Sequence, residues 1–240
     1  MDENKKKIYD IELNKFIDNI NNTTNFSFTK VGDGEMMCIR GDNGANCDGQ
    51  SYSKELGSEL LEAYRYLAQN KDVSLAGQSD PRWRLIDVER KVFEGIKTCF
   101  NFVTYDILLN RLGEDTEKRL SFYKTIKNSK RKKIFLGNNR LIPVNKMLNT
   151  DGFIEIPSQN AFKEIGPILN NLKSIIEDNC IVLFSAGLIS KVLMSKILDM
   201  NHNITCIDTG SAFDPLFIGQ TRTEQCSIEE LKELYKDLLV

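Results

Sequence analysis

The stretch Lys30 to Gly41 reads KVGDGEMMCIRG and sets two carboxylates, Asp33 and Glu35, one residue apart among glycines, directly after the β-like run Phe26-Ser27-Phe28-Thr29. In an extended segment, residues two apart share a face, so both carboxylates can converge on one point. Two negative charges there repel unless something positive lies between them. A hard divalent cation such as Mg²⁺ or Mn²⁺ takes such oxygen ligands, keeps several waters and uses its remaining positions for substrate phosphates. A second reading makes Asp33 the cap of a helix over Met36 to Arg40, with Glu35 in the first turn, where the helix dipole favours acids. Spacing alone leaves both open. A glycine-rich dinucleotide turn is poorly supported, because Gly32-Asp33-Gly34-Glu35-Met36-Met37 does not complete GxGxxG.

These residues must be positioned by the elements around them. Apolar runs rich in Val, Ile and Phe alternate with segments of helical period, which argues for βαβ units around a mostly parallel sheet, a Rossmann-like α/β fold with helices on both faces. The expected strands are Asn25 to Val31, Asp72 to Ala76, Phe100 to Tyr105, Lys133 to Leu136, Phe153 to Ile156, Ile181 to Phe184 and Ile204 to Ile207, seven at most. The expected helices are Ser53 to Gln69, Arg84 to Lys97, Thr116 to Asn128, Arg140 to Leu148, Ala161 to Glu177 and Leu188 to Met200. Leu56, Leu60, Tyr64 and Leu67 form one apolar stripe on the first of these and read as core. Helices over about 8–20 and 228–239 are expected to pack on the sheet, and either could serve an oligomer contact. With no repeat or Pro/Ser-rich linker, residues 1–240 read as one domain.

In open α/β sheets ligands bind outside the carboxyl ends of the strands. The residues after the runs are Gly32-Asp33-Gly34-Glu35, Gly77-Gln78-Ser79-Asp80, Asp106, Gly137-Asn138-Asn139-Arg140, Pro157-Ser158-Gln159-Asn160, Ser185-Ala186-Gly187 and Asp208-Thr209-Gly210-Ser211. Small residues admit a ligand to the backbone, and helix N-termini favour phosphate. Residues 41–52 read as a mobile loop beside the acidic pair. Trp83, between Arg82 and Arg84, reads as a core anchor, with sugar stacking as the alternative. The basic run Lys127 to Lys133 reads as a solvated helix end, with a polyanion dock as the alternative.

Lys30-Val31-Gly32-Asp33-Gly34-Glu35 resembles the R/K-x-G-D-G-E signature of GT-D-type glycosyltransferases, a Rossmann-like family. The likeness continues through RGDNGANCDGQSY (Arg40 to Tyr52), LFSAGLISKVL (Leu183 to Leu193) and IDTGSAFDPLF (Ile207 to Phe217). It implies transfer of a sugar from a nucleoside-diphosphate donor, expected to be UDP-linked, to a glycan or glycoconjugate hydroxyl, in assembly of a bacterial surface polysaccharide or glycoprotein. Asp33 and Glu35 would hold Mn²⁺ or Mg²⁺. Lys30, Gly32, Gly34, Gly137, Asn138, Arg140, Ser185, Gly187, Ser190, Lys191 and Ser211 would bind the donor. Lys30 stands where the family often has Arg, replacing a bidentate phosphate contact with a point charge. Asp208 and Asp214 are the candidates for the base that takes the acceptor proton. Helix capping for Ser185, a solvated surface position for Lys191 and a turn before Pro215 for Asp214 are the structural alternatives.

Composition bounds the partners. Hydrophobic residues make up 41% and charged residues 28%, and the formal net charge of -2 gives no electrostatic reason to expect nucleic acid. No run approaches a membrane span, so a cytoplasmic chain, with peripheral association at the inner membrane face left open, is expected. The six cysteines form no CxxC pair, and His202, in a polar turn, is given no catalytic role. Two further readings stand beside the transferase. One is a metal-independent nucleotide- or S-adenosylmethionine-binding Rossmann enzyme; the other is a non-catalytic sugar-nucleotide-binding module.

Overall fold

A computed structural model describes residues 3–78, 80–97, 100–110, 112–113, 115–200, 203–219 and 227–239. Its strands are β1 (Ser27–Val31), β2 (Val73–Gly77), β3 (Lys133–Gly137), β4 (Gly152–Glu155), β5 (Ile181–Ser185) and β6 (Thr205–Asp208). Each is a short apolar run; β3 is buried throughout and β5 along all but its last residue, as parallel strands covered on both faces require. All pairings are parallel, in the order β2-β1-β6-β5-β3-β4.

The helices are α1 (Glu3–Asn21), α2 (Asp33–Arg40), α3 (Lys54–Gln69), α4 (Ile86–Val92), α5 (Thr116–Asn128), α6 (Pro143–Leu148), α7 (Ile165–Ile175), α8 (Ile189–Met200), α9 (Asp214–Phe217), α10 (Ile228–Leu234) and α11 (Lys236–Leu239). Side-chain alternation along the strands feeds two cores. Phe28, Phe135, Ile181, Leu183 and Ile207 pack against α1, α5, α6, α10 and α11. Ile134, Leu136, Val182, Phe184 and Cys206 pack against α7 and α8 and the end of α3. This is the expected sheet flanked by helices on both faces.

Six of the seven expected strands are present; Phe100 to Tyr105 is not one. The Asn101 side chain accepts hydrogen bonds from Val103 N and Thr104 N, so the chain turns there instead of extending. The helix expected over Arg84 to Lys97 shortens to α4, and Gly95 beyond it adopts the left-handed conformation, φ +76°. The helix expected from Arg140 divides into a 3₁₀ turn, Asn139–Leu141, and α6, which starts at Pro143, where proline's missing donor costs nothing. Likewise Ala161 to Glu177 becomes a 3₁₀ turn, Ala161–Glu164, followed by α7.

Two members of the basic run Lys127 to Lys133 are not solvated, while Lys130 is exposed and Lys127 and Lys132 are half-buried. Arg131 is buried at the amino ends of the strands, where it donates to Asn179 O, Asn25 Oδ1, Cys180 O and Thr205 Oγ1. Lys133 is buried too, its ammonium on Ser129 O at 2.7 Å. Trp83 is not a core anchor either, being 56% exposed. Cys38, Cys180 and Cys206 are buried free thiols and Cys47 an exposed one; Cys99, Cys226, Ser79 and His202 lie outside the described residues. Among the described residues, no helix is long and apolar enough to cross a membrane.

Candidate active site

The connection from β3 runs outward to β4 and that from β5 runs the other way to β6, so a crevice opens where the connections diverge, beyond the carboxyl ends of the strands. A cleft of about 700 Å³ occupies this end of the sheet. Its floor is built from β1, β5 and β6. The chain leaves β1 and enters α2 at once: Gly32 is the extended N-cap, with no side-chain cap, and Asp33 is the first helical residue. The helical reading of the acidic pair holds for Glu35, which sits in the first turn of α2, and fails for Asp33 as cap. The pair does not lie on an extended segment, and Asp33 does not cap the helix; both acids sit in its first turn.

Helical geometry separates the two carboxylates. Asp33 is half-buried, lines the cleft, and has no hydrogen bond or ion pair with the described residues. Glu35 turns inward and is 7% exposed. Lys191, from the first turn of α8, is 4% exposed and places its ammonium 2.7 Å from Glu35 Oε1 and 2.9 Å from Oδ2 of Asp208, which is 1% exposed. The positive charge that the acidic motif demands is thus supplied to Glu35 by the chain itself. Lys191 is no solvated surface residue.

Asp208 ends β6 and receives further donors: Gly210 N at 3.1 Å, Thr29 Oγ1 at 3.3 Å and Lys30 N at 3.4 Å. Burial alone would raise its carboxyl, but the ammonium groups of Lys191 and Lys30, with these hydrogen bonds, hold it below the usual carboxylate range. Burial opposes the charge on Lys191, yet Asp208 and Glu35 outweigh it and lift the amine above its ordinary value. Tyr105 is raised by burial and then by Glu35, and Tyr52 is pushed up to about 12 by burial and then by Asp33.

Packing explains two glycines. A β-carbon on Gly32 would lie 2.6 Å from Glu35 Oε2 and 2.9 Å from the Tyr105 hydroxyl, so a side chain there would displace the buried carboxylate. Gly210, at φ +53°, leaves room for the Lys30 ammonium, which a β-carbon would approach to 2.3 Å. Lys30 also lies 5.6 Å from the centre of the Tyr105 ring.

Of the other sequence candidates, Gly34, Asn138, Arg140, Ser185, Gly187, Ser211 and Asp214 line the cleft with Lys30. Asp214 is the first residue of α9 and half-buried. Ser185 pairs its hydroxyl with Thr209 at 2.8 Å, and Gly187 turns the chain into α8 at φ +56°. Gly32 and Gly137 lie behind the lining, and Ser190 is fully buried without reaching it. Trp83 and Asp80 do not line it, and Asp80 pairs with Arg82. Asp106 accepts from the Tyr9 hydroxyl and faces Lys5.

Residues 41–52 are more than a surface loop. Ala45 bridges Ser51, Asn160 N donates to Gly49 O at 3.3 Å, Ser51 N donates to Asn160 Oδ1 at 3.0 Å and Phe162 N donates to Gln50 Oε1 at 2.9 Å. The loop forms a cleft wall tied to the segment after β4. Sequence reasoning missed Tyr105, Thr29 and the phenol of Tyr64, whose hydroxyl donates to Lys30 O at 2.9 Å. The helical stripe marked Tyr64 as core, and only its polar tip could have signalled more.

No family model matches the chain, and no curated protein matches it. Two solved structures are similar in fold. One is described as the selenomethionine-substituted domain of unknown function 1792, with a TM-score of 0.58 and 18% identity. The other is described as the highly conserved domain of unknown function 1792 with a distinct glycosyltransferase fold, with a TM-score of 0.59 and 17% identity. Each alignment covers 95% of this chain and 90% of the other. The architecture is therefore similar, over nearly its whole length, to one described as a distinct glycosyltransferase fold.

Proposed function

We propose that the chain is a glycosyltransferase that moves a sugar from a nucleoside-diphosphate donor, UDP-linked by preference, to a hydroxyl of a glycan or glycoconjugate in surface-polysaccharide or glycoprotein assembly. The observation that carries this reading is the charge layout of the cleft. Lys30 and Arg140 line the same space as the open carboxylate of Asp33, which suits a diphosphate accompanied by a cation.

The donor set for a metal fits Mn²⁺ or Mg²⁺ in part. Asp33 would be the principal ligand, with Glu35 Oε2 behind it, since Glu35 Oε1 belongs to Lys191. Among the described residues no group of three His, Cys, Asp or Glu could hold an ion, so water and diphosphate oxygens would complete the shell. Bound there, the ion would supply Lewis-acid neutralisation of the departing diphosphate.

The chain's own groups do the rest. Lys30 and Arg140 hold the diphosphate, and the turn entering α8, a helix of 12 residues, adds the Gly187 N–H beside the Ser185 hydroxyl. The acceptor oxygen bonds to the anomeric carbon as the bond from that carbon to the phosphate oxygen breaks. The electron pair leaves with the nucleoside diphosphate, and the acceptor proton passes to Asp214. Asp208 is unsuited to that step, because a carboxylate held ionised by a lysine and three further donors is a weak base. Its part is to hold Lys191.

A metal-independent nucleotide enzyme has one observation in its favour, the neutralisation of Glu35 and Asp208 by Lys191. Among the described residues it lacks a cleft-facing acid after β2 to receive a ribose. Thermal unfolding with UDP, Mn²⁺ and both together separates the readings. Stabilisation that needs both supports the transferase; equal stabilisation by UDP alone overturns its metal requirement.

A further inference from the structure

We propose that a second groove, on the β4 side of the main cleft, binds an uncharged, hydroxyl-rich glycan as the acceptor, an assignment of role that rests on the transferase reading above. The groove measures about 610 Å³ and shares Asn138 and the segment Pro157-Ser158-Gln159 with the cleft. That segment is the partition between the two spaces. Its far end is held by the hydrogen bonds of Asn160 and Phe162 to residues 49–51, so the partition has a defined position.

The two spaces differ in their cations. The cleft is lined by Lys30, Arg140 and Lys191 together with Asp33, Glu35, Asp48, Asp208 and Asp214, whereas among the described residues the groove carries Glu155 and Glu164 and no Lys, Arg or His. Lys163 stands next to Glu164 in sequence but outside the lining. A diphosphate finds cationic side chains to pair with in the first space, while in the second it meets two carboxylates. What remains suited to the groove is a neutral ligand with many hydroxyls. The two carboxylates accept hydrogen bonds, the amides of Asn139, Gln159 and Asn171 both accept and donate, and Pro157, Pro167 and Ile168 offer apolar surface to the C–H faces of sugar rings. Continuity through the partition would bring an acceptor hydroxyl toward the donor without placing either ligand in the other's field.

The test uses the full chain on an array of immobilised neutral and acidic oligosaccharides, beside its thermal shift with UDP and Mn²⁺. Glu164 and Asn171 are exposed, so the double variant Glu164→Ala/Asn171→Ala is expected to keep its melting temperature. The expected result is retention on neutral glycans that weakens about tenfold in the double variant, with the UDP–Mn²⁺ shift unchanged. Retention on acidic glycans only, no retention on neutral ones, or equal binding by the variant would overturn the proposal. Loss of the UDP–Mn²⁺ shift in the variant would do the same, because the groove would then hold the nucleoside. Absence of that shift in the wild type, with neutral glycans still bound, would instead overturn the transferase reading and leave a glycan-binding groove.

Discussion

Lys191, on α8, reaches Glu35, on α2, with 2.7 Å between Nζ and Oε1, and the same ammonium lies 2.9 Å from Asp208 at the end of β6. One buried cation therefore joins three elements at the cleft floor. A buried pair is not a large net source of stability, but breaking one side leaves an unpaired buried charge.

Lys191→Met should therefore cost about 3–5 kcal/mol in urea unfolding, since Glu35 and Asp208 would lose their shared cation. Lys191→Arg should retain more stability than Lys191→Met. Wild-type unfolding midpoints in Lys191→Met would contradict the buried arrangement.

The acidic pair should separate into two phenotypes. Asp33→Asn is expected to change stability by no more than about 1 kcal/mol, the scale of a first-turn dipole contact, while abolishing joint stabilisation by UDP and Mn²⁺. Glu35→Gln removes a buried partner of Lys191 and should lower stability by about 3–5 kcal/mol as well as impair turnover. Identical melting curves for the two variants would refute the division of roles.

Acid should act through Asp208. Its folded carboxyl lies below the ordinary value, so its contribution is fully present above an unfolded pKa of about 3.9 and disappears as pH falls through the lower, folded one. Lys191 is raised, so its contribution is complete below about 10.4 and lost only on the far alkaline side. Stability from this pair should be flat between roughly pH 5 and 9 and fall in acid. Asp208→Asn should flatten that acid decline, as read from urea midpoints against pH.

Gly32→Ala tests the steric side. At φ -103° the backbone accepts alanine, so any loss comes from the new methyl meeting Glu35 Oε2 and the Tyr105 hydroxyl. A cost of about 1–3 kcal/mol is expected, with weakened UDP–Mn²⁺ stabilisation. Unchanged calorimetry would show that the carboxylate is not held where the contact places it.

Arg131→Ala should destabilise the fold by about 1–3 kcal/mol by leaving buried acceptors unsatisfied at the strands' amino ends, at the opposite end of the sheet from the cleft. Residual folded protein should respond to UDP and Mn²⁺ as wild type does. Retained stability together with loss of binding to anionic vesicles would favour the polyanion dock.

Much of this organisation is legible along the chain. The runs at Ile134 to Leu136 and Ile181 to Phe184 are apolar on both faces, which only a buried parallel strand requires, and the polar residues after them fall at one end of the sheet. The strand-end rule brought Asp33, Glu35, Arg140 and Asp208 to one cleft, and the resemblance added Lys191. It failed at Phe100 to Tyr105, where the Asn101 side chain captures two backbone N–H groups and local hydrogen bonding overrides β propensity. The basic run misled at Arg131 and Lys133, because a run of like charges gives no sign that backbone carbonyls before the strands will receive two of its members.

Apolar periodicity and turn chemistry act over a few residues, so six strands and most helices were legible along the chain, as were the polar residues at the carboxyl ends of the strands. Which charge answers which was settled by the packing of segments far apart in the chain. That Glu35 faces Lys191 while Asp33 faces the cleft depends on the helix starting one residue after Gly32 and on β5 and β6 lying beside β1. A few ångströms across segments far apart in the chain settle whether two carboxylates share an ion or one of them is held by a lysine.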